Sequence, residues 1–267
     1  MRLLAVLVFF TVTTANRIGA QSYVPSRPLS DANLIKSFIS SHMVYPSEEY
    51  EQKKQGIVEL SFTVMKDGSM QDIRVNRSVS EAMDKEAIRI ARKIIWLPAR
   101  INGMPIEEDR EFSVKFDVRQ FDKARKKLQE KTACWQSSEA DTSVYLFPNN
   151  RIETSPEPQI SGGKKRMAAY LRDHLRYPDA AFRLNLSGTV TIGFVVEPDG
   201  SLTNIHIIKA VGGGCEQEAI RIMQNICWKP ATINGKNVRS LHTFDIHFKL
   251  DDETRSNHIP NRQSSGI

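Results

Sequence analysis

Apolar and polar residues alternate through the stretch GTVTIGFVV, which spans residues 188–196. The apolar side chains at every second position would share one face of an extended chain, which predicts a strand with one buried face. A second alternating run follows Pro198-Asp199-Gly200, where Gly supplies the positive φ that a hairpin turn requires. A third run, HTFDIHFKL at residues 242–250, places these apolar residues on one face: Phe244, Ile246, Phe248 and Leu250. The pattern therefore predicts three strands, the first two joined as a hairpin.

Between the second and third strands the apolar spacing changes to that of a helix. In CEQEAIRIMQNICW, residues 215–228, apolar side chains recur three and four positions apart, and Glu216 and Glu218 suit the positive end of the helix dipole. Pro230 is expected to end this helix. Another short helix is predicted before Tyr177-Pro178. The order helix, strand, strand, helix, strand predicts an α+β fold, a three-stranded antiparallel sheet with helices on one face.

The same pattern occurs twice in the chain. DKEAIRIARKIIWLPARING begins at Asp84 and EQEAIRIMQNICWKPATING begins at Glu216, an offset of 132 residues. The same offset aligns Tyr45-Pro46 with Tyr177-Pro178, and the aligned region needs no gap. Each repeat is too long for a solenoid unit. The chain is therefore predicted to hold two tandem small domains, which we call copy 1 and copy 2.

The first residues have the layout of a secretory signal peptide, with an early Arg, an apolar run and small residues before Gln21. The apolar run is shorter than the roughly 20 residues of a membrane-spanning helix. We therefore expect cleavage after Ala20, with a retained inner-membrane anchor as the alternative. The predicted parts of the chain are a signal peptide at 1–20, copy 1 at 31–118, a linker at 119–160, copy 2 at 161–250 and a polar tail at 251–267.

Candidate chemistry is sparse in this sequence. It contains no motif of a serine hydrolase, zinc protease or phosphate-binding loop, so no enzyme activity, cofactor or metal site is predicted. His242 and His247 would face opposite sides of a strand and could not share a metal ion. The net charge of +6 comes from scattered residues, a pattern that does not favour nucleic-acid binding. Cys215 and Cys227 flank the predicted helix too far apart to pair, so Cys134 either pairs with one of them or all three stay free.

The ordered residues of each repeat resemble the C-terminal domain of TonB, the periplasmic energy transducer. In copy 2 the resemblance rests on Tyr177-Pro178, Gly188-x-Val190, Phe194-x-Val196, Asp199-Gly200, Trp228-x-Pro230 and the closing FDIHF. In copy 1 it rests on Tyr45-Pro46, Gly56-x-Val58, Phe62-x-Val64, Asp67-Gly68, Trp96-x-Pro98 and FSVKF. The ordered set occurs twice, which makes the resemblance specific. It covers roughly residues 31–118 and 160–250.

This resemblance implies that each domain docks an extended peptide, the TonB box of outer-membrane transporters, as an added strand beside its last strand. The docking strands would be His242–Leu250 in copy 2 and Arg110–Val118 in copy 1. The docking residues implied in copy 2 are Tyr177, Pro178, His242, Thr243, Asp245, His247 and Lys249. Those implied in copy 1 are Tyr45, Pro46, Ser113 and Lys115.

The resemblance further implies a periplasmic location, with outer-membrane TonB-dependent transporters or other envelope proteins as partners. A full transducer of this family has a membrane anchor and a long proline-rich spacer, whereas the 12 prolines of this chain are dispersed and its N-terminus resembles a cleavable signal. The alternative function is therefore a periplasmic scaffold, or a module that binds peptidoglycan without energy coupling. Homo-oligomerisation is left open.

Overall fold

The computed structural model describes residues 22–131, 143–160 and 166–250. The predicted signal peptide and polar tail lie outside the described residues, and so does Cys134. Within the described ranges, no helix is both long enough and apolar enough to cross a membrane.

The elements follow the chain in the predicted order, with additional short strands. Copy 1 and the residues before it contain β1 (Tyr23–Val24), β2 (Arg27–Pro28), α1 (Ala32–His42), α2 (Ser47–Glu51), β3 (Gly56–Val64), β4 (Met70–Arg77), α3 (Glu81–Lys93), β5 (Trp96–Leu97), β6 (Ala99–Ile101), β7 (Met104–Ile106) and β8 (Glu108–Phe116). The predicted linker contains α4 (Val118–Lys131), a 3₁₀ turn (Asn149–Arg151) and β9 (Glu157–Gln159). Copy 2 contains α5 (Met167–His174), α6 (Asp179–Arg183), β10 (Gly188–Val196), β11 (Leu202–Lys209), α7 (Cys215–Met223), β12 (Cys227–Lys229), β13 (Ala231–Ile233), β14 (Lys236–Val238) and β15 (Ser240–Phe248).

The main sheet of each copy has its first long strand at the centre. The strand orders are β4-β3-β8 in copy 1 and β11-β10-β15 in copy 2, and every pairing is antiparallel. The predicted Asp-Gly turns close both hairpins, since Gly68 and Gly200 adopt φ values of 85° and 78°. The α+β prediction, with two tandem three-stranded antiparallel sheets, is confirmed.

The alternation of apolar residues places a core on one face of each sheet. In copy 2, Val190, Ile192, Phe194 and Val196 of β10 are fully buried, and α7 covers them with Ala219 and Ile222 among others. Copy 1 repeats this arrangement, with the β3 side chains packed under α1 and α3. The helices therefore lie on the core face, which leaves the opposite face of the copy 1 sheet polar and largely in contact with solvent.

The end of the second-copy helix differs from the prediction. Helix α7 ends at Met223, so the expectation that it continues to Pro230 is wrong. Cys227–Lys229 instead forms β12, which pairs with β9 from the predicted linker and sets Trp228 opposite Pro158. Copy 1 has the same pairing, with Trp96 opposite Pro28. Backbone pairing with a distant segment therefore overrides the local helical spacing at this position.

Both ends of the predicted linker have structure of their own. Helix α4 packs Phe121 against the copy 1 core, where its ring centroid lies 5.3 Å from that of Tyr45. Strand β9 pairs with β12, the strand of copy 2 that contains Trp228. The exact domain limits stay a prediction.

The cysteines are divided between two states. Cys227 is disulfide-bonded, and Cys134, the third cysteine of the sequence, lies outside the described residues. Cys215 is a fully buried free thiol. Burial, and to a smaller extent the nearby Glu216 carboxylate, raises the pKa of this thiol to about 11. A thiol that stays protonated at neutral pH is a poor nucleophile, so Cys215 packs as a small apolar residue.

Candidate functional site

Each main sheet ends in two edge strands, because β3 and β10 lie at the centre. The edges are β4 and β8 in copy 1 and β11 and β15 in copy 2. An edge strand presents backbone N–H and C=O groups that can pair with another extended chain. The regularity of each strand decides which edge is suited to that pairing.

Strands β4 and β11 are interrupted by β-bulges. Their pairing with the central strand shifts register at two places in each copy, at equivalent positions. Asp72 and Asn204 adopt left-handed backbone conformations there, with φ values of 51° and 49°. A bulge adds an unpaired residue and twists the strand, which hinders the addition of a further strand. These two edges are therefore unfavourable for docking.

Strand β15 is regular along its whole length. All nine of its residues pair with β10 from Ser240 opposite Val196 to Phe248 opposite Gly188, without a register shift. Strand β8 pairs with β3 in the same way from Glu108 to Phe116. Within the described ranges, no other named strand pairs with β8 or β15. The regular edges of the last strands are thus the candidate docking surfaces.

The segment before β9 shows which backbone groups of β15 point away from β10. The N–H of Phe147 donates to the carbonyl of Arg239 at 2.9 Å, and Phe147 forms a parallel bridge with Ser240 on the outer side. Backbone groups alternate in direction along a strand, so Leu241, Thr243, Asp245 and His247 direct theirs to this outer side. Pro148 has no N–H to donate, so the pairing of Phe147 with the start of β15 does not continue along the strand. The outward backbone groups of Thr243, Asp245 and His247 lie beyond this point.

The exposed side chains of β15 are held by cross-strand hydrogen bonds. Asp245 accepts a hydrogen bond from the hydroxyl of Thr191 at 2.6 Å, and Nδ1 of His247 lies 2.8 Å from the hydroxyl of Thr189. Both pairs are directly opposed in the sheet. These contacts orient the side chains on the outer face and leave the backbone groups of the edge unaffected.

The predicted docking residues are divided between the two faces of the sheet. Thr243, Asp245, His247 and Lys249 are exposed on the outer face, whereas His242 lies on the core face, with its ring centroid 6.5 Å from that of Phe194. Ser113 and Lys115 occupy the outer face of copy 1, where Lys115 forms an ion pair with Asp117 at 3.2 Å. Alternation along the strand separates His242 from the other four.

The Tyr-Pro pairs support the last strands from the core side. The Tyr177 hydroxyl donates to the carbonyl of Leu186, and its ring packs edge-on against Phe248 at 5.8 Å between centroids. In copy 1, Tyr45 donates to Lys54 and packs edge-on against Phe116 at 5.6 Å.

Burial is the main reason that the pKa of each of these tyrosine hydroxyls is raised, so both remain protonated donors. Pro46 and Pro178 each lie between the tyrosine and a short helix, as the N-terminal flanking residue of that helix. The tyrosines therefore fix the end of β8 and β15 without sharing the exposed face.

A charged cluster at the contact between the copies was missed by the sequence analysis. It centres on Glu197, Asn204 and Arg239 of copy 2, which contact the end of α3 in copy 1. The 132-residue offset places Met65, Asp72 and Glu107 at the same positions of copy 1. The sequence signal for these residues is therefore a difference between the repeats, whereas the predicted domains rest on their similarities.

The comparison with protein families agrees with the duplication. The family profile described as Gram-negative bacterial TonB protein C-terminal matches residues 41–118 and 173–250, which together make up more than half of the chain. No curated protein matches the chain. Among solved structures, the Helicobacter pylori TonB C-terminal domain is 21% identical, with 32% of this chain and 78% of that chain covered and a TM-score of 0.24. The Pseudomonas aeruginosa TonB C-terminal domain is 20% identical, with 40% of this chain and 96% of that chain covered and a TM-score of 0.29. Because the profile matches both repeats, this chain belongs to the TonB C-terminal family, in two tandem copies.

Proposed function

We propose that this protein binds extended peptides as added strands along the outer edge of β15. The peptides are the TonB boxes of outer-membrane transporters, and the protein acts in the periplasm as a TonB-like component of energy-dependent transport. In this role it is an interaction protein and needs neither enzymatic activity nor a cofactor. The observation that carries the proposal is the regular edge of β15, whose outward backbone groups begin where the internal pairing with Phe147 ends.

Backbone hydrogen bonds would supply most of the affinity in this binding mode. Thr243, Asp245 and His247 each direct an N–H and a C=O to the outer side, and each hydrogen bond formed there contributes about 1 kcal/mol. The exposed side chains of Asp245 and His247 would then select the peptide, since Thr191 and Thr189 already hold them in place. Tyr177 contributes indirectly by fixing Phe248 at the end of the strand.

Copy 1 offers a second edge with different side chains. The outer face of β8 carries Asp109, Glu111, Ser113 and Lys115, and Asp109 accepts a hydrogen bond from Thr63 at 2.7 Å. This face is more acidic than that of β15, so the two copies would prefer different peptides. Two edges in one chain raise the avidity for a partner that carries two binding segments, because the second segment binds at high effective concentration.

The test is a calorimetric titration of the chain from Gln21 onward with TonB-box peptides from transporters of the same organism. Asp245→Pro deletes an outward N–H without removing a hydrogen bond to β10, a change that edge strands tolerate. Asp245→Ala is the matched control, because it removes the same carboxylate and keeps the N–H. We expect Asp245→Ala to bind and Asp245→Pro to bind about tenfold more weakly or not at all. Ser113→Pro applies the same test to copy 1.

Amide hydrogen exchange of the unaltered chain provides an independent readout if Asp245→Pro does not fold. Bound peptide should slow exchange at Thr243, Asp245 and His247, while Phe244 and Ile246 are already protected by β10. Equal affinity of the Pro and Ala variants, with no added protection along β15, would exclude strand addition at this edge. An absence of binding at millimolar peptide would leave the scaffold or peptidoglycan-binding function, to be sought by cross-linking and by sedimentation with purified peptidoglycan.

A further inference from the structure

The C-terminal end of α3 in copy 1 is capped by side chains of copy 2. The last carbonyls of a helix have no partner within the helix and must find one elsewhere. Here the carbonyl of Lys93 accepts hydrogen bonds from Nδ2 of Asn204 and Nη2 of Arg239, both at 3.0 Å. The N–H of Ile95 donates to Oδ1 of Asn204 at 2.8 Å. The amide of Asn204 thus pairs with the helix end as a backbone segment would.

A buried ion cluster surrounds this cap. The carboxylate of Glu197 lies 3.0 Å from Nζ of Lys93 and 3.0 Å from Nη2 of Arg239, and it accepts a hydrogen bond from Thr203 at 2.6 Å. The Glu197 side chain is 1% exposed and that of Lys93 is 15% exposed. Charges removed from water this completely are stable only when paired and hydrogen-bonded. The cluster is therefore complete only when both copies contribute to it.

Apolar contacts extend the interface beyond the charged cluster. Helix α1 of copy 1 lies against β11, and its Leu34 packs on the copy 2 core. His42, at the end of α1, places Nε2 2.7 Å from the hydroxyl of Ser201 in the β10–β11 hairpin. The contact thus spans α1, α3 and the hairpin, which is broad enough to fix an orientation.

The contact runs in one direction only. Copy 1 carries Met65, Asp72 and Glu107 where copy 2 carries the capping residues, and copy 2 carries Asn225 where copy 1 has Lys93. At these positions copy 1 therefore lacks the acid, the amide and the guanidinium that make the cap. A heterologous contact of this kind would build a filament if each unit repeated it, and the residue differences prevent that.

We propose that the two copies form one rigid body, locked by the cap that Glu197, Asn204 and Arg239 place on α3. Copy 1 then acts as a positioning domain that holds β15 in a fixed orientation. The edges of β8 and β15 then keep a constant position relative to each other. The lock does not depend on peptide binding, so it is tested without any ligand.

The experiment compares the rotational correlation times of the two copies by NMR relaxation of the chain from Gln21 onward. The test variant replaces the capping residues with those that copy 1 carries at the same positions: Glu197→Met, Asn204→Asp and Arg239→Glu. The matched control makes the reciprocal change in copy 1: Met65→Glu, Asp72→Asn and Glu107→Arg. Both variants use residues that the same fold already accommodates.

We expect one common correlation time for the unaltered chain and for the control. In the test variant the correlation time of each copy should fall toward that of a single domain. If that variant does not fold, Lys93→Asn weakens the same cluster from copy 1, and Arg92→Asn at the exposed neighbouring position is its control. Independent tumbling in the unaltered chain would overturn the proposal, as would a test variant that stays rigid. The proposal would also be overturned if the unaltered chain had the molar mass of two chains at micromolar concentration and the test variant that of one, since the cap would then form between chains.

Discussion

Nη2 of Arg239 lies 3.0 Å from Oε1 of Glu197, and the two side chains are only 3% and 1% exposed. These residues are 42 positions apart and belong to the same copy, yet their arrangement also holds the carbonyl of Lys93 from the other copy. A buried carboxylate between two cations therefore links the stability of copy 2 to the contact between the copies.

Arg239→Met should destabilise the protein by about 3 kcal/mol, because it leaves the Glu197 carboxylate buried with a single cationic partner. Urea unfolding followed by circular dichroism measures the change. Glu107→Met is the matched control at the equivalent, exposed position of copy 1, and its effect should stay within about 0.5 kcal/mol. Equal effects of the two substitutions would show that the buried ion cluster contributes nothing to stability.

The free energy of unfolding should decrease in two steps as the pH is lowered. Burial, with a smaller effect from Lys93, lowers the pKa of His42 below its ordinary 6.5, although Asp199 and Glu197 act in the opposite direction. The unfolded chain therefore takes up this proton first. The stability that depends on neutral His42 is complete above pH 6.5 and is lost as the pH falls toward the folded pKa.

Glu197 contributes to the second step, together with other carboxyl groups whose pKa is lowered, among them Glu108 and Glu216. Burial alone would raise the pKa of the Glu197 carboxyl group, but Arg239, Lys93 and the Thr203 hydroxyl together lower it below its ordinary 4.5. Its contribution is present above pH 4.5 and is lost at lower pH. Urea unfolding at a series of pH values checks both steps. His42→Gln should remove the first step, whereas His174→Gln, at the equivalent exposed position of copy 2, should leave it in place. If the free energy of unfolding of His42→Gln keeps the same dependence on pH, the first step does not come from His42.

Tyr177→Phe and Tyr45→Phe should each lower the free energy of unfolding by about 1 kcal/mol, because each removes the hydroxyl that donates to a backbone carbonyl. Thermal or urea unfolding measures the loss. Tyr145→Phe, at an exposed position, is the control and should change stability by less than about 0.5 kcal/mol. Unchanged stability with weakened peptide binding in Tyr177→Phe would instead place this hydroxyl in direct contact with the peptide.

Cys215 should not react with a thiol reagent such as 5,5′-dithiobis(2-nitrobenzoic acid) while the protein is folded. Its thiol is fully buried and its pKa is raised to about 11, so the thiolate that reacts is scarce and inaccessible. Absorbance should report labelling of this thiol only after denaturant is added. Labelling of Cys215 in native buffer, located by mass spectrometry, would show that α7 opens locally.

Much of the fold was predictable because its determinants are local. The alternation through Val190, Ile192 and Phe194 set both the strand and its buried face, and Gly200 at φ 78° closed the predicted hairpin. The outer face of the last strand followed from the same alternation, which places Asp245 and His247 together. Periodicity cannot identify a pairing partner, however. The helix was therefore expected to continue to Pro230, where the chain instead forms β12 against a segment of the predicted linker.

The sequence by itself determined the duplication, through a constant offset of 132 residues, and the α+β fold of each copy, through spacing between near neighbours. The last strand became the candidate docking edge through the resemblance to the TonB C-terminal domain. Only the tertiary structure decided that β15 is regular where β11 is bulged, and that Asn204 caps a helix 111 residues away. Hydrogen bonds and ion pairs between distant residues leave no period in the sequence. Their energies depend on burial, and burial exists only once the two copies have packed together.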